Sequence, residues 1–556
     1  MPVQGIICQG GRHHLQNHCS SILKRILKNH QNTFHLNKPL HPHQTHYDDT
    51  RATPQSRKLP VRIDFPTYSR EITYDKMGRV LSTKDTSTDG ETVTSTKSYN
   101  SKGDLLTETD GKGNTTTYAY DILGRVVTST NSLGAIVRTA YDNRDNVICI
   151  TDAKGAVTTY EYNKLGQPVK EIRPLGLTTV FEYDPRGNVL SVTDPAGNET
   201  VKTYDALSRV VKTERFGADS GAPLDSVVTT YNGLGQVTSS TDSSGRRVEF
   251  EYDLLGRQTI SRRFLDGAPL VTSYEYDALG NQTKVVDEAG RTASFVYNEL
   301  SQNITAVSPS PDTTAPGPVL SKAYDNAGRM VKLTKANGST WQYSYNGLGR
   351  LLSQTDPLGA TTSFDHDANG NITKRRDAKG QESTFIYDSL NRLTRVNYPG
   401  DQWAEMTYDT NSNRTSITGS SGVSLSSTFD ELNRVTGNVT PTLLRGLSFT
   451  YTPNGQRASM TVNNLGDGTT STTGYSFDGL GRVTGIQAPA GNATYSYNPY
   501  STRNIATLPN GLTVNHSYDS LGRLTGMAYT GTSGPIAEYN YTLDISGNRL
   551  TQTDDE

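Results

Sequence analysis

The chain has 556 residues, of which 33% are hydrophobic, with a mean hydropathy of −0.60 and a net charge of −2 from 54 basic and 56 acidic residues. So low an apolar content is poor for several compact cores and suits an extended sheet wetted on both faces. No basic stripe marks a nucleic-acid or anionic-membrane footprint, and no apolar stretch approaches the roughly 20 residues of a membrane helix.

Residues 1–66 stand apart from the rest. They hold eight of the ten histidines (His13, His14, His18, His30, His35, His41, His43 and His46) together with Cys8 and Cys19. The spacing HPHQTH (41–46) would allow a surface zinc or nickel site. Paired CxxC or HxxxH elements on a defined scaffold are missing, so no metal site is assigned and the segment reads as a disordered or misassigned leader. ILKRILKN (22–29) has the pattern of one or two turns of basic amphipathic helix, too short to be stable alone. The start lacks the basic-then-apolar layout of a signal peptide. The third cysteine, Cys149, lies alone further on, so there is no disulfide framework and the compartment is not legible from cysteine usage.

Residues 67–550 are one tandem repeat. Tyr-Asp or Tyr-Asn recurs from Tyr74 onward, and from Tyr99 through Tyr120, Tyr141, Tyr162 and Tyr183 to Tyr204 each step is 21 residues. Longer steps carry insertions such as FGADSGAPLDS (216–226) and SPSPDTTAPGPV (308–319). Degenerate copies, among them His366-Asp367, Phe429-Asp430 and Phe477-Asp478, fill the gaps and bring the total to about 22 units. Residues 551–556 form an acidic tail that leaves an unpaired strand edge, a template for association.

The unit GNTTTYAYDILGRVVTSTNSLG (113–134) contains two turn signals. After Tyr120, Asp121 can bond its own backbone two residues on, and Gly124 accepts the left-handed conformation; together they predict a type I turn closed by a G1 bulge. The same structural trio recurs at Tyr183-Asp184-Gly187, Tyr252-Asp253-Gly256, Tyr345-Asn346-Gly349 and Tyr518-Asp519-Gly522. Asp145, Asn391 and Asn433 replace the glycine acceptably, whereas Ser208, Ser301 and Ser412 fit less well. The second turn is again Asp-x-x-Gly, as at Asp110–Gly113, Asp152–Gly155, Asp194–Gly197 and Asp356–Gly359. Between turns lie short runs rich in Thr, Val, Tyr and Phe. Aromatics two apart, such as Tyr118 and Tyr120, share one sheet face, and stacking of units predicts ladders of rings. Two strands per unit give about 44 strands and, at about 4.8 Å each, a sheet roughly 210 Å wide that must coil into a spiral shell or solenoid.

YDILGRVV (120–127), YDSLGRLT (518–525), FDGLGRVT (477–484) and TDPAGN (193–198) resemble the YD-repeat family. That family includes bacterial Rhs proteins, the C components of insecticidal toxin complexes, wall-associated proteins and teneurins. The resemblance implies an all-β fold of antiparallel hairpins wound into a hollow shell. It also implies a secreted or cell-surface location, delivery by a secretion machine, and a polypeptide cargo such as a C-terminal toxin. The family's toxin-cleavage core, rich in DPxGL and NxYxYxxNP patterns, has only YSYNPYS (495–501) as a counterpart, so no cleavage residues carry over.

No nucleophile–base constellation, phosphate loop, HExxH or EF-hand motif occurs, and the many aspartates are already explained as turn formers. His366 occupies a Tyr slot and is expected to pack as an aromatic; Cys149 is expected to pack as a small apolar residue. The expectation is therefore a container without catalytic, cofactor or metal residues. The alternative is a surface module whose tyrosines stack on glycans.

Overall fold

The structure, a computed structural model, describes residues 44–47, 59–310, 317–498 and 502–555. His43–Glu556 form one compact unit. Forty-six strands, from Gln44–Tyr47 to Arg549–Asp555, make a single sheet in which each strand pairs antiparallel with the one before and the one after it. Among the described residues the helical pieces are three-residue 3-10 turns at Pro174–Gly176 and Pro441–Leu443, and none is long and apolar enough to cross a membrane.

The predicted hairpins are present. In the unit around Tyr120, strands Thr115–Tyr120 and Val126–Thr130 are joined by a turn in which the Gly124 N–H donates to Asp121 O (3.1 Å) and the Asp121 N–H to Arg125 O (3.0 Å). Gly124, Gly256, Gly349, Gly481 and Gly522 have φ between 77° and 83°. Ser208, Ser301 and Ser412 also adopt positive φ, at 61°, 59° and 69°. They are held there by the preceding unit: Asn188 donates to the Ser208 hydroxyl, Asn281 to Ser301 and Arg392 to Ser412.

The two edges of the sheet differ. At each Tyr-Asp hairpin the register slips by one residue beside the tyrosine. Tyr120 faces Val126 while Ala119 faces Thr128, which leaves Val127 as an extra residue. The hairpins at the other edge, such as Thr128–Thr130 against Ile136–Arg138, run without a slip, apart from the late pair Leu524–Gly531 and Gly534–Leu543. A bulge bends its strand and raises the local twist, so one bulge per unit on the Tyr-Asp edge gives a bend that adds up around the array.

That bend closes into a coil. The turn between the sixth and seventh strands (Asp110–Gly113) touches the turn between the 29th and 30th (Asp367–Gly370), 30 − 7 = 23 strands later. The same interval separates Asp152 from Asn411, Asp194 from Asn454 and Arg291 from Ser546. The array thus winds twice. At about 4.8 Å per strand, 23 strands give a circumference of roughly 110 Å and a backbone-to-backbone diameter of roughly 35 Å.

The wall is one sheet thick. Among the described residues only a few apolar side chains, such as Leu270, Val396 and Ala506, are buried, and none is fully so. Strand character also runs past the boundaries expected from the repeat. Pro60–Asp64 and Gln44–Tyr47 precede it and pair into the sheet, and tail residues 551–555 lie within strand Arg549–Asp555. Gln44–Tyr47 ends on a further repeat dipeptide, Tyr47-Asp48, which the sequence reading missed; for the other end strands backbone pairing with a neighbour is enough to form them. The helix expected at 22–29 and the other leader histidines and cysteines lie outside the described residues.

Gly349 isolates the conformational cost of the turn, because a Cβ there would meet nothing within 4 Å. Gly349→Ala should lower stability by about 1–2 kcal/mol, and Gly349→Asn by less, measured by urea unfolding. Equal, negligible losses for both would show that the left-handed residue does not limit the turn.

Candidate functional site

The repeat residues converge on a clasp between consecutive units. In the unit at Tyr120, the Asp121 carboxylate accepts the backbone N–H groups of Leu123 (2.9 Å) and Arg125 (3.0 Å) on one oxygen and Arg125 Nε (2.7 Å) on the other. Arg125 then reaches forward. One guanidinium nitrogen donates to Asp142 O in the next turn (2.8 Å), and the group lies over the Tyr141 ring, 4.7 Å from its centroid. The Tyr141 hydroxyl reaches back and donates to Val126 O (3.0 Å). The arrangement recurs with Arg79 over Tyr99, Arg257 over Tyr276, Arg392 over Tyr408 and Arg482 over Tyr497.

The structural positions named from sequence all take part. Tyr183 and Tyr252 donate to Pro168 O and Val237 O, Tyr345 to Met330 O and Tyr518 to Arg503 O. Asp184, Asp253 and Asp519 accept turn N–H groups as Asp121 does. Where an arginine reaches the next unit, as at Tyr99, Tyr141, Tyr276 and Tyr345, the expected ring-on-ring ladder is replaced by ring and guanidinium in alternation. The reason lies in the residue after the glycine: its charge is anchored by the turn aspartate and covers the next ring, a role the sequence reading missed although Gly-Arg recurs beside nine of the turns. Where Asn or Gln stands there, it bonds the turn side chain instead, as Asn188 does Asp184 and Gln236 does Asn232.

A second constellation is the seam between coils, where Asn346 belongs. The Asn346 amide donates to Glu91 Oε2 (2.6 Å), and Arg350 pairs with the same carboxylate. At two further turn pairs the third residue of each turn reaches the first residue of its opposite. Asn369 donates to Asp110 (2.7 Å) while Lys112 pairs with Asp367 (3.0 Å). Asn411 donates to Asp152 (2.7 Å) while Lys154 pairs with Asp409 (3.4 Å). Every such contact joins the plain edge of the first coil to the Tyr-Asp edge of the second.

Electrostatics follow from these bonds. The Arg125 N–H, opposed by burial and helped by the guanidinium, holds Asp121 below the usual aspartate value of 3.8. Burial would raise Asp110, but Asn114, Asn369 and turn N–H groups outweigh it and hold the carboxyl low. Burial pushes Tyr120, Tyr141 and Tyr162 above 10.0. His366 sits in its Tyr slot with its pKa lowered by burial and by Arg350. Cys149 is half-buried. Among the described residues no group of three His, Cys, Asp or Glu side chains is placed to hold a metal ion. His46, from the His-rich segment, instead bonds Asp64 (2.8 Å).

With this geometry in hand, comparison with known proteins gives two family matches. The teneurin YD-shell matches residues 25–220, and the RHS repeat matches 231–264, 324–361, 345–382 and 366–402. No curated protein matches. Among solved structures, the crystal structure of TcdB2-TccC3 is 12% identical and superposes over 91% of this chain and 34% of its own, with a TM-score of 0.53. The same pair without the hypervariable C-terminal region is 16% identical over 96% of this chain and 36% of its own, with a TM-score of 0.44. The Photorhabdus luminescens Tc holotoxin pore is 15% identical over 92% and 34%, with a TM-score of 0.36. This chain spans about a third of the length of those structures. At such identities the likeness is one of fold.

Two outcomes test the clasp. Tyr141→Phe removes one hydroxyl bond and should cost about 1 kcal/mol by urea unfolding; a variant as stable as the parent would show the bond to be idle. The pH profile has two limbs. The turn aspartates are lowered on folding, so the stability they contribute is present above 3.8 and is lost as pH falls through their lower folded values. The tyrosines are raised, so theirs is present below 10.0 and is lost as pH rises through their higher folded values. A melting temperature that is flat through both limbs would contradict the assignment.

Proposed function

Because the chain belongs to the YD/RHS-repeat family, we propose that it builds the wall of a hollow shell that encloses or escorts a polypeptide. The observation that carries this is the double coil itself, a sheet one layer thick that returns on itself every 23 strands and is bonded along the seam. A layer in which both faces stay partly exposed bounds a space rather than filling it. With roughly 35 Å between backbones and about 10 Å taken up by inward side chains, the clear bore is about 25 Å. A folded 100-residue domain, with a radius of gyration of about 13 Å, is roughly 34 Å across. The enclosed chain would therefore be held unfolded or partly folded.

Secretion or surface display through a dedicated machine, which the family resemblance implies, is part of the proposal. The wall contributes confinement and no chemical step. The glycan-binding reading has less support, since repeat tyrosines such as Tyr141 and Tyr408 are covered by guanidinium groups and spend their hydroxyls on backbone carbonyls.

The experiment is to fuse a small ligand-binding domain after Glu556 and treat the fusion with protease under native conditions. The expected result is slow cleavage of the domain and no ligand binding until the shell is unfolded. Cleavage as fast as that of the free domain, with ligand binding intact, would overturn the container.

A further inference from the structure

Two coils have four edges, and the seam uses only two. The Tyr-Asp edge of the second coil rests on the plain edge of the first. This leaves a Tyr-Asp rim on the first coil and a plain rim on the second without a facing coil among the described residues. The free and the covered positions have the same sequences, so the exposures can be compared directly.

On the free Tyr-Asp rim, the third turn residues Leu165, Leu207, Leu234 and Leu255 are 75%, 71%, 82% and 75% exposed. Their counterparts in the second coil, Leu348, Leu390, Leu432 and Leu480, are half-buried. The plain edge shows the converse. Asp-Ala-Lys-Gly occurs twice, at 152–155 and 377–380. In the seam copy, Ala153 is half-buried and its carbonyl accepts Thr410 Oγ1 (3.1 Å), Asp152 accepts Asn411, and Lys154 pairs with Asp409. In the free copy, Ala378 is exposed, while the lysine is exposed in both copies. Likewise Pro195 in the seam is half-buried, whereas Pro357 is exposed beside Leu358, itself 94% exposed.

We propose that these two rims are the separated halves of one more seam, and that one copy of this chain docks head to tail on a second copy. Charge and shape match in both directions. Lys379 would take the place of Lys154 against a rim aspartate such as Asp121 or Asp184. The basic third-position residues Lys102, Arg144 and Arg186 would face Asp356 and Asp377, as Asn369 and Asn411 face Asp110 and Asp152. Leu358 would lie against the rim leucines. The contact is heterologous, so it does not close on a pair; each copy added presents the same two rims again. The inference rests on the seam geometry and not on what the shell contains.

The test uses the full chain in sedimentation velocity over a concentration series. The wild type should associate progressively. Leu165→Asp/Leu207→Asp/Leu255→Asp on one rim, or Leu358→Asp/Lys379→Glu on the other, should raise the apparent dissociation constant at least about tenfold, as expected for loss of interfacial anchors. Circular dichroism should be unchanged for both, because the altered side chains are exposed. The decisive arm mixes the two variants. Each retains one good rim, so the mixture should form a one-to-one pair and nothing larger. A wild type that stays monomeric overturns the proposal. So does a rim variant that associates like the wild type, which would place association at another surface such as the last strand. A mixture that forms no pair would do the same.

Discussion

The turn carboxylate is the constraint on which the rest of this protein depends. A type I turn closed by a left-handed residue leaves N–H groups pointing inward, and an aspartate at its start accepts two of them while keeping an oxygen free. That free oxygen anchors the arginine four residues on, and the arginine fixes the next unit through a turn carbonyl and a tyrosine ring. Local turn chemistry is in this way converted into a joint between units. Removing the carboxylate would free the arginine as well, which is why Asp or Asn holds this position wherever the clasp is complete.

A wall without a core raises the question of what opposes conformational entropy. Burial is spread thinly: half-covered aromatic and aliphatic side chains on two faces, continuous backbone pairing, and the clasps that join many of the units. Each unit touches its two neighbours and, through the seam, one unit a full coil away. The first kind of contact alone would give a ribbon whose stability is a sum of nearest-neighbour terms. The seam adds long-range coupling at separations of 254–260 residues, so the double coil resists fraying better than a single one.

The repeated tyrosines and aspartates would ordinarily suggest a binding or catalytic surface. Here they are consumed by the scaffold. The hydroxyls are donated to carbonyls, the rings are capped, and the carboxylates are held ionised by turn donors. The groups left over are on the rims, and it is there that the protein has surface to offer. The proposed confinement and the proposed end-to-end assembly both rest on the same winding.

The sequence by itself determined the hairpins. Asp121 and Gly124 specify a turn through bonds that span four residues, and the alternation around Tyr118 and Tyr120 specifies which face each ring takes; both are local and so are legible. The serines at 208, 301 and 412 were less so, because their left-handed backbone is stabilised by side chains from the preceding unit. The arginine clasp was missed for a similar reason: its partner ring lies 15 residues or more along the chain. What only the tertiary structure decided is the winding. A period of 23 strands depends on bends accumulated over a whole coil, and no single unit encodes it. Asp-Ala-Lys-Gly makes the point: at 152–155 its alanine is half-buried and its aspartate and lysine are bonded across a seam, at 377–380 its alanine is exposed, and the four residues are the same. Their fate depends on whether another coil arrives opposite them, which is a property of the array.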